Sequence, residues 1–349
     1  GLATMLFGAY FALFKTDLKG LLAFSTISHL GLITMLLGLG SPAALLAALF
    51  HILNHATFKA GLFMIAGIID HETGSRDLRK LSGLRKFMPY TMVLAVITSA
   101  SMAGIPLFNG FLSKEMFLME SYQQHLFGGL SWLVPVLATV GAMLSVAYSI
   151  RFVHGVFFDK AAENLPKTPH EPPLMMRVPV IILAGLCIAV GIAPMLFVAD
   201  ILTPALAAVS PAPMEINISI WHGFNMALLM SVLAIVGGIG IYANRADLLS
   251  FNRQFDHHDA KEVFARIVKS VTNFSDALMN RIETGSLQRY IAALLILTVV
   301  FVIPELYNIE QLTGGREQLP INVVSLTGAV IVILAAIGTA AFHHQRLTS

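Results

Sequence analysis

Three titratable side chains stand in register within one apolar stretch. In Leu49-Phe-His-Ile-Leu-Asn-His-Ala-Thr-Phe-Lys-Ala-Gly-Leu-Phe63, His51, His55 and Lys59 are spaced i, i+4, i+8. On a helix this spacing stacks them on one face over two turns, with Asn54 close to the stripe. A second position is Lys114, followed by Glu115, in Thr98-Ser-Ala-Ser-Met-Ala-Gly-Ile-Pro-Leu-Phe-Asn-Gly-Phe-Leu-Ser-Lys-Glu-Met-Phe117. Gly104, Pro106, Asn109 and Gly110 interrupt the apolar run there. Pro106 removes a backbone donor and clashes with the preceding turn, so the run predicts a broken helix. Freed backbone at membrane depth is tolerated only where it is buried in protein or lines a water-filled cavity. A lysine beside such a break is costly and marks a functional position, as in transporters with discontinuous helices.

These residue types suit proton transfer. Arginine stays charged under any burial, whereas a lysine in a partly hydrated apolar bundle can load and release a proton as its neighbours change. Histidine titrates near neutrality unaided and passes protons through either ring nitrogen. His51, His55, Lys59 and Lys114 therefore predict a relay along the membrane plane. Glu115 either holds Lys114 charged or faces water at the helix end. The structural alternatives are histidines that merely satisfy core hydrogen bonds and, for Lys114, a stem that snorkels to the interface. The His51/His55 pair also has a zinc spacing. It lacks the intervening Glu of H-E-x-x-H and a third ligand, so no metal is expected. His29, in Ser25-Thr-Ile-Ser-His-Leu-Gly31, is a further candidate, with a helix-start hydrogen-bonding cluster as its alternative. His222, His343 and His344 fall near span ends and are expected at the interface. No cofactor-binding motif is visible.

The elements that must hold these residues are membrane helices. The 349 residues are 56% hydrophobic and 12% charged, with a mean hydropathy of +0.76. Soluble domains carry about 25% charged residues. The apolar runs are continuous and do not alternate, which favours an all-α integral membrane protein over a barrel. About nine transmembrane helices are expected on length grounds, over residues 2–14, 24–39, 43–69, 89–119 (the broken one), 131–153, 178–199, 218–243, 290–305 and 321–342. If they alternate, all of the 22 Lys and Arg residues fall on one side except Arg316, opposite, and Lys59 and Lys114, inside spans. That asymmetry makes the basic side cytoplasmic. It also explains the net charge of +2 without nucleic acid as a partner. Within 244–289, Val263, Phe264, Ile267, Val268, Val271, Phe274, Leu278 and Ile282 recur mostly at spacings of three or four. They predict an amphipathic helix on the cytoplasmic face, or else a soluble loop helix against the bundle. The single cysteine, Cys187, excludes an intrachain disulfide. The chain starts inside an apolar run without Met, and is expected to be a fragment truncated at both ends.

Three ordered runs carry a resemblance. They are Lys15-Thr-Asp-Leu-Lys-Gly-Leu-Leu-Ala-Phe-Ser-Thr-Ile-Ser-His-Leu-Gly31, His51-x-x-x-His-Ala-Thr-Phe-Lys-Ala60 and Gly104-Ile-Pro-x-x-Asn-Gly-Phe-Leu-Ser-Lys-Glu115. Together they resemble the antiporter-like family. It includes the large membrane-arm subunits of respiratory complex I, membrane-bound hydrogenase subunits and the large subunits of Mrp-type (Mnh/Pha) multisubunit cation/proton antiporters. The resemblance implies that Lys59 is the central-relay lysine, His51 and His55 its bridging partners, and Lys114 the terminal lysine of the broken helix. His29 stands where many relatives have Gln. Trp221-His-Gly-Phe-Asn225, Gly285-Ser-Leu-Gln-Arg-Tyr290 and Phe342-His-His-Gln-Arg-Leu347 are similar to the large A subunit of the Mrp branch.

The resemblance implies four parts. Residues 1–158 would be the second five-helix repeat and 159–243 two further transmembrane helices. Residues 244–289 would be the amphipathic segment and 290–349 two C-terminal helices. It also implies a proton-translocating subunit of a Na⁺ or K⁺/H⁺ antiporter in the bacterial inner membrane. Its partners would be other membrane subunits, the lipid bilayer, protons and Na⁺ or K⁺. The competing classes are an energy-coupling subunit of a complex I-like or hydrogenase-like redox complex and a non-transporting scaffold. Intramembrane lysines argue against the scaffold.

Overall fold

The computed structural model describes residues 1–123, 131–159, 165–210, 216–221, 223–248, 260–283, 285–306 and 322–342. His222, His343, His344 and Arg316 lie outside them. Among the described residues the chain is all-α, with one isolated bridge between Asp17 and Asp77. The helices are α1 Leu2–Phe14, α2 Leu18–Leu39, α3 Pro42–Thr73, α4 Pro89–Ala103, α5 Asn109–Gln123, α6 Leu133–Phe157, α7 Leu174–Ile192, α8 Pro194–Val209, α9 Met226–Ala243, α10 Ala260–Ile282, α11 Leu287–Leu306 and α12 Val323–Ala341. Six of them, α2, α3, α6, α7, α9 and α12, are each long and apolar enough to cross a bilayer. The chain divides into two units, Gly1–His257 and His258–Ser349.

Local signals set the boundaries. The Asp17 carboxylate accepts from Gly20 N at 2.6 Å, so α2 starts at Leu18, earlier than the apolar run predicts. The Ser41 hydroxyl caps α3, with Pro42 in its first turn. Glu171 receives Tyr90 N and Thr91 N, both at 3.1 Å, and so places an anion at the start of α4. Pro194 corrects the expected span over 178–199. Ala193, before it, is non-helical (φ −136°, ψ 64°), and two helices replace one. The span expected over 218–243 is helical only from Met226, where the Asn225 side chain accepts from Leu228 N at 2.7 Å.

In the first unit α1 lies against α2 and α6, α3 against α2, α4, α5, α7 and α8, and α6 against α4 and α9. The α1–α2 crossing is close. A Cβ on Gly8 would stand 2.4 Å from Ser28 N, and one on Gly31 2.4 Å from Met5 N. This approach brings the Ser28 hydroxyl onto Met5 O at 2.8 Å and fixes the turn of α2 that carries His29. Outside the bundle, the 74–88 loop is tied to the α1–α2 turn by Leu18 N→Arg76 O at 2.9 Å and Leu78 N→Thr16 O at 2.8 Å. There the Arg79 guanidinium bonded to Asp77 holds its carboxyl below the usual range.

The predicted break is present between α4 and α5. Each half is 15 residues, about 22 Å of helix against an apolar core of about 30 Å, so neither crosses alone. Gly104 adopts φ 80° and Leu107 φ 75°, which turn the chain where Pro106 prevents continuation. The halves then meet at Gly110, where a Cβ would lie 1.9 Å from Ser101 O. The Asn109 side chain accepts from the Ser101 hydroxyl, and its backbone O accepts from Asn54 Nδ2 at 3.1 Å. These bonds fix the break to α4 and α3.

In the second unit, α10 is the helix that the spacing predicts, and Phe264, Ile267, Val271 and Phe274 on it are exposed. It bends by 99° into α11.

Gly110→Ala is expected to cost about 1–3 kcal/mol of stability through overpacking, seen as a lower thermal midpoint in detergent. Gly38→Ala, whose added Cβ has nothing within 4 Å, is the control and is expected to leave the midpoint unchanged or slightly higher.

Candidate functional site

Four helices of the first unit converge on a buried polar thread. The α3 face brings His51, His55 and Lys59 towards α2, where Ser25 and His29 face them, and α5 adds Ser113 and Lys114. From α6 come Ser145 and Tyr148, which sequence reasoning missed. His51, Tyr148 and Ser113 are fully buried, and the lysines are nearly so at 4% exposure for Lys59 and 6% for Lys114.

The imidazoles are joined directly. His29 Nδ1 and His51 Nε2 are 3.0 Å apart, with rings stacked at 5.2 Å between centroids. His51 Nδ1 meets Ser113 Oγ at 2.9 Å, and the Tyr148 hydroxyl meets His29 Nε2 at 3.1 Å. The chain Tyr148–His29–His51–Ser113 fits both donor senses. With both rings as Nδ1–H tautomers, donation runs from Tyr148 to Ser113; as Nε2–H tautomers it runs back. Passage of one proton along the chain converts one sense into the other. His55 lies beside this chain, its ring 5.2 Å from that of His29. Its Nε2 is buried with no hydrogen-bond partner among the described residues.

The two lysines are held differently. Lys59 Nζ donates to the Ser25 hydroxyl and to Leu22 O at 3.3 Å. That carbonyl also accepts from the Ser25 and Thr26 hydroxyls. Lys114 Nζ donates to Met102 O at 2.8 Å, Ala103 O at 2.9 Å and Ser145 Oγ at 2.8 Å. The break supplies the first two acceptors. Of the last four carbonyls of α4, Ala100 and Ser101 accept from Gly104 N and Ile105 N. Met102 and Ala103 are left for Lys114, and the Ser145 hydroxyl also reaches Met102 O at 3.4 Å. Its ammonium thus sits at the negative end of the α4 dipole. Gly104 leaves space for its stem, since a Cβ there would stand 2.7 Å from Lys114 Cδ.

Three bonds use the three protons of an ammonium. Glu115 is 5% exposed, accepts from Asn225 Nδ2 at 3.4 Å and lines a separate cavity with Glu120, Met116, Met119 and Ala43. A small cavity lined by Ser28, His29, Lys114, Ser145, Tyr148 and Met5 has room for about one water. It is the gap between the imidazole chain and Lys114. Ser145 and Tyr148 left one sequence signal, a polar pair at i, i+3 inside the apolar run of α6.

Capping by Lys114 gives an expected difference in stability. Lys114→Met leaves Ala103 O without its donor and Met102 O with only the Ser145 hydroxyl at 3.4 Å, and should cost about 1–3 kcal/mol. Lys59→Met, which vacates a carbonyl already served by two hydroxyls, should lower the thermal midpoint less.

Comparison with known proteins places this architecture. Residues 1–145 match the family described as "NADH:quinone oxidoreductase/Mrp antiporter, TM". Over 346 residues the chain is 45% identical to a probable K(+)/H(+) antiporter A/B subunit of Rhizobium meliloti (strain 1021), covering 97% of this chain and 34% of that protein. It is 34% identical to the Na(+)/H(+) antiporter A subunit of Alkalihalophilus pseudofirmus, covering 100% of this chain and 47% of that one. A chain in the structure of the Mrp complex from Dietzia sp. DQ12-45-1b superimposes with a TM-score of 0.71 at 29% identity, over 99% of this chain and 37% of that one. The chain thus spans about a third to a half of the length of the curated relatives it matches. Residues 1–145 are thus similar to the transmembrane domain of the NADH:quinone oxidoreductase/Mrp antiporter family, in a multi-pass membrane chain similar throughout its length to A subunits of K(+)/H(+) and Na(+)/H(+) antiporters.

Proposed function

We propose that the chain is the proton-relaying part of the A subunit of a multisubunit Na⁺ or K⁺/H⁺ antiporter in the bacterial inner membrane. The observation that carries this reading is the pair of buried lysines, Lys59 and Lys114, flanking a hydrogen-bonded imidazole pair inside an apolar bundle. A scaffold has no use for two such charges, each expensive at membrane depth. Protons pass laterally from Lys59 through His55, His51 and His29 to Lys114, and their movement drives cation export. Each charge moved across the membrane carries about 2.3 kcal/mol per 100 mV, so a proton excess over cations makes exchange voltage-driven. Glu115, beside the terminal lysine, borders the path on the α9 side.

In this reading residues 1–158 form one five-helix repeat and 159–243 continue the bundle. Residues 244–289 lie along the cytoplasmic face, and 290–349 supply further membrane helices. Other membrane subunits complete the complex. The names of the relatives support both cations, K⁺ in Rhizobium meliloti and Na⁺ in Alkalihalophilus pseudofirmus. A second reading, an energy-coupling subunit of a redox complex, draws on the family that residues 1–145 match. Copurification with flavin, iron–sulfur or quinone-reducing subunits would favour it.

The test uses the full-length subunit in its assembled complex, in inverted vesicles from an antiporter-deficient host. Lys59→Met and Lys114→Met are each expected to lower cation-driven proton exchange at least about tenfold, or about 1.4 kcal/mol on the barrier, with the complex still assembled. Wild-type exchange in either would overturn the relay.

A further inference from the structure

We propose that the Tyr148 hydroxyl carries the proton across the gap between the imidazole pair and Lys114. The proposal rests on the relay reading and adds the link that the lysine and histidine positions leave open. Lys114 Nζ makes no described bond to an imidazole; its three partners are Met102 O, Ala103 O and Ser145 Oγ. The His29–His51 chain ends at Ser113 on one side and at Tyr148 on the other. Tyr148 both bonds His29 Nε2 and lines the one-water cavity that Lys114 and Ser145 also line. Ser145 and Tyr148 are three residues apart on α6 and so share a face. One helix therefore presents a hydroxyl to each end of the gap.

A phenol suits this position because its oxygen donates and accepts at once. A protonated His29 releases its Nε2 proton to Tyr148 Oη. The phenol's own proton leaves to a water in the cavity, and that water gives one of its protons to the Lys114 amine. One N–H bond breaks at His29 and one forms at Lys114. The phenol and the water end neutral, and rotation of the hydroxyl restores the starting arrangement. Phenylalanine would fill the same volume and carry nothing. Tyr148 is also a large core side chain with no exposure, so a packing role is the alternative to be separated.

The experiment compares Tyr148→Phe with Lys114→Met and wild type in the assembled complex. It reads cation-driven proton exchange, the cation concentration at half-maximal rate and the thermal midpoint. The expected result is a fall in maximal rate of at least about tenfold for Tyr148→Phe, with the half-maximal concentration and midpoint unchanged. Wild-type exchange in Tyr148→Phe with Lys114→Met inactive would overturn the role of Tyr148 and leave the relay standing. Wild-type exchange in Lys114→Met would overturn the relay itself, and this link with it. If Tyr148→Phe does not assemble, 3-fluorotyrosine at position 148 keeps the ring and hydroxyl while changing the acidity of the phenol. A changed maximal rate at fixed pH then supports the link, and an unchanged rate overturns it.

Discussion

Burying an ammonium inside an apolar bundle is tolerable only where acceptors are already in place, and much of the first unit follows from that constraint. An isolated charge in such surroundings is costly unless it is hydrogen-bonded on every proton. Side chains alone rarely supply three acceptors at one point. Here the backbone supplies two, because α4 stops at Ala103 and leaves Met102 O and Ala103 O unclaimed by helix bonds. A continuous helix through 89–123 would turn Ala103 O onto Leu107 N, and Met102 O escapes only because Pro106 has no N–H to give it. Pro106, the left-handed turns at Gly104 and Leu107, and the close contact at Gly110 are thus the conditions for a lysine at position 114.

The second constraint is continuity. A proton cannot cross apolar space, so the two lysines matter only if something polar joins them. The α2–α3 contact sets His29 against His51, and the α3–α5 contact sets His51 against Ser113. Their bonds are consistent in either donor sense, which a conducting chain requires and a purely structural one does not. The lysines differ in how tightly they are held. Lys114 has three well-placed acceptors, while Lys59 shares a crowded carbonyl and one hydroxyl. That difference suits a central station that releases its proton and a terminal one that retains it.

What was legible in the sequence was what local chemistry determines. The period of His51, His55 and Lys59 states a shared face, and Gly104, Pro106 and Gly110 state a break. The spacing of Val263 to Ile282 states an amphipathic helix. The bond between His29 and His51 was not legible, because it depends on how closely α2 approaches α3. Tyr148 carried no signal beyond a polar pair in an apolar run, since its role depends on facing His29, 119 residues away. The span over 178–199 failed for the opposite reason. Uniform apolarity masked Pro194, whose local effect on Ala193 divides the run.

The claim that one path runs past both lysines is tested most directly by removing one hydroxyl beside each. Ser25→Ala strips a bond from Lys59 and Ser145→Ala one from Lys114, on different helices. The measurement is the exchange rate of the assembled complex carrying each change and both. Steps in series add their times. If each single variant slows exchange roughly tenfold, the double is expected to be slowed about twentyfold. Exchange slowed no more than about twofold by either single variant would show a second route around that lysine and contradict a single path from Lys59 to Lys114.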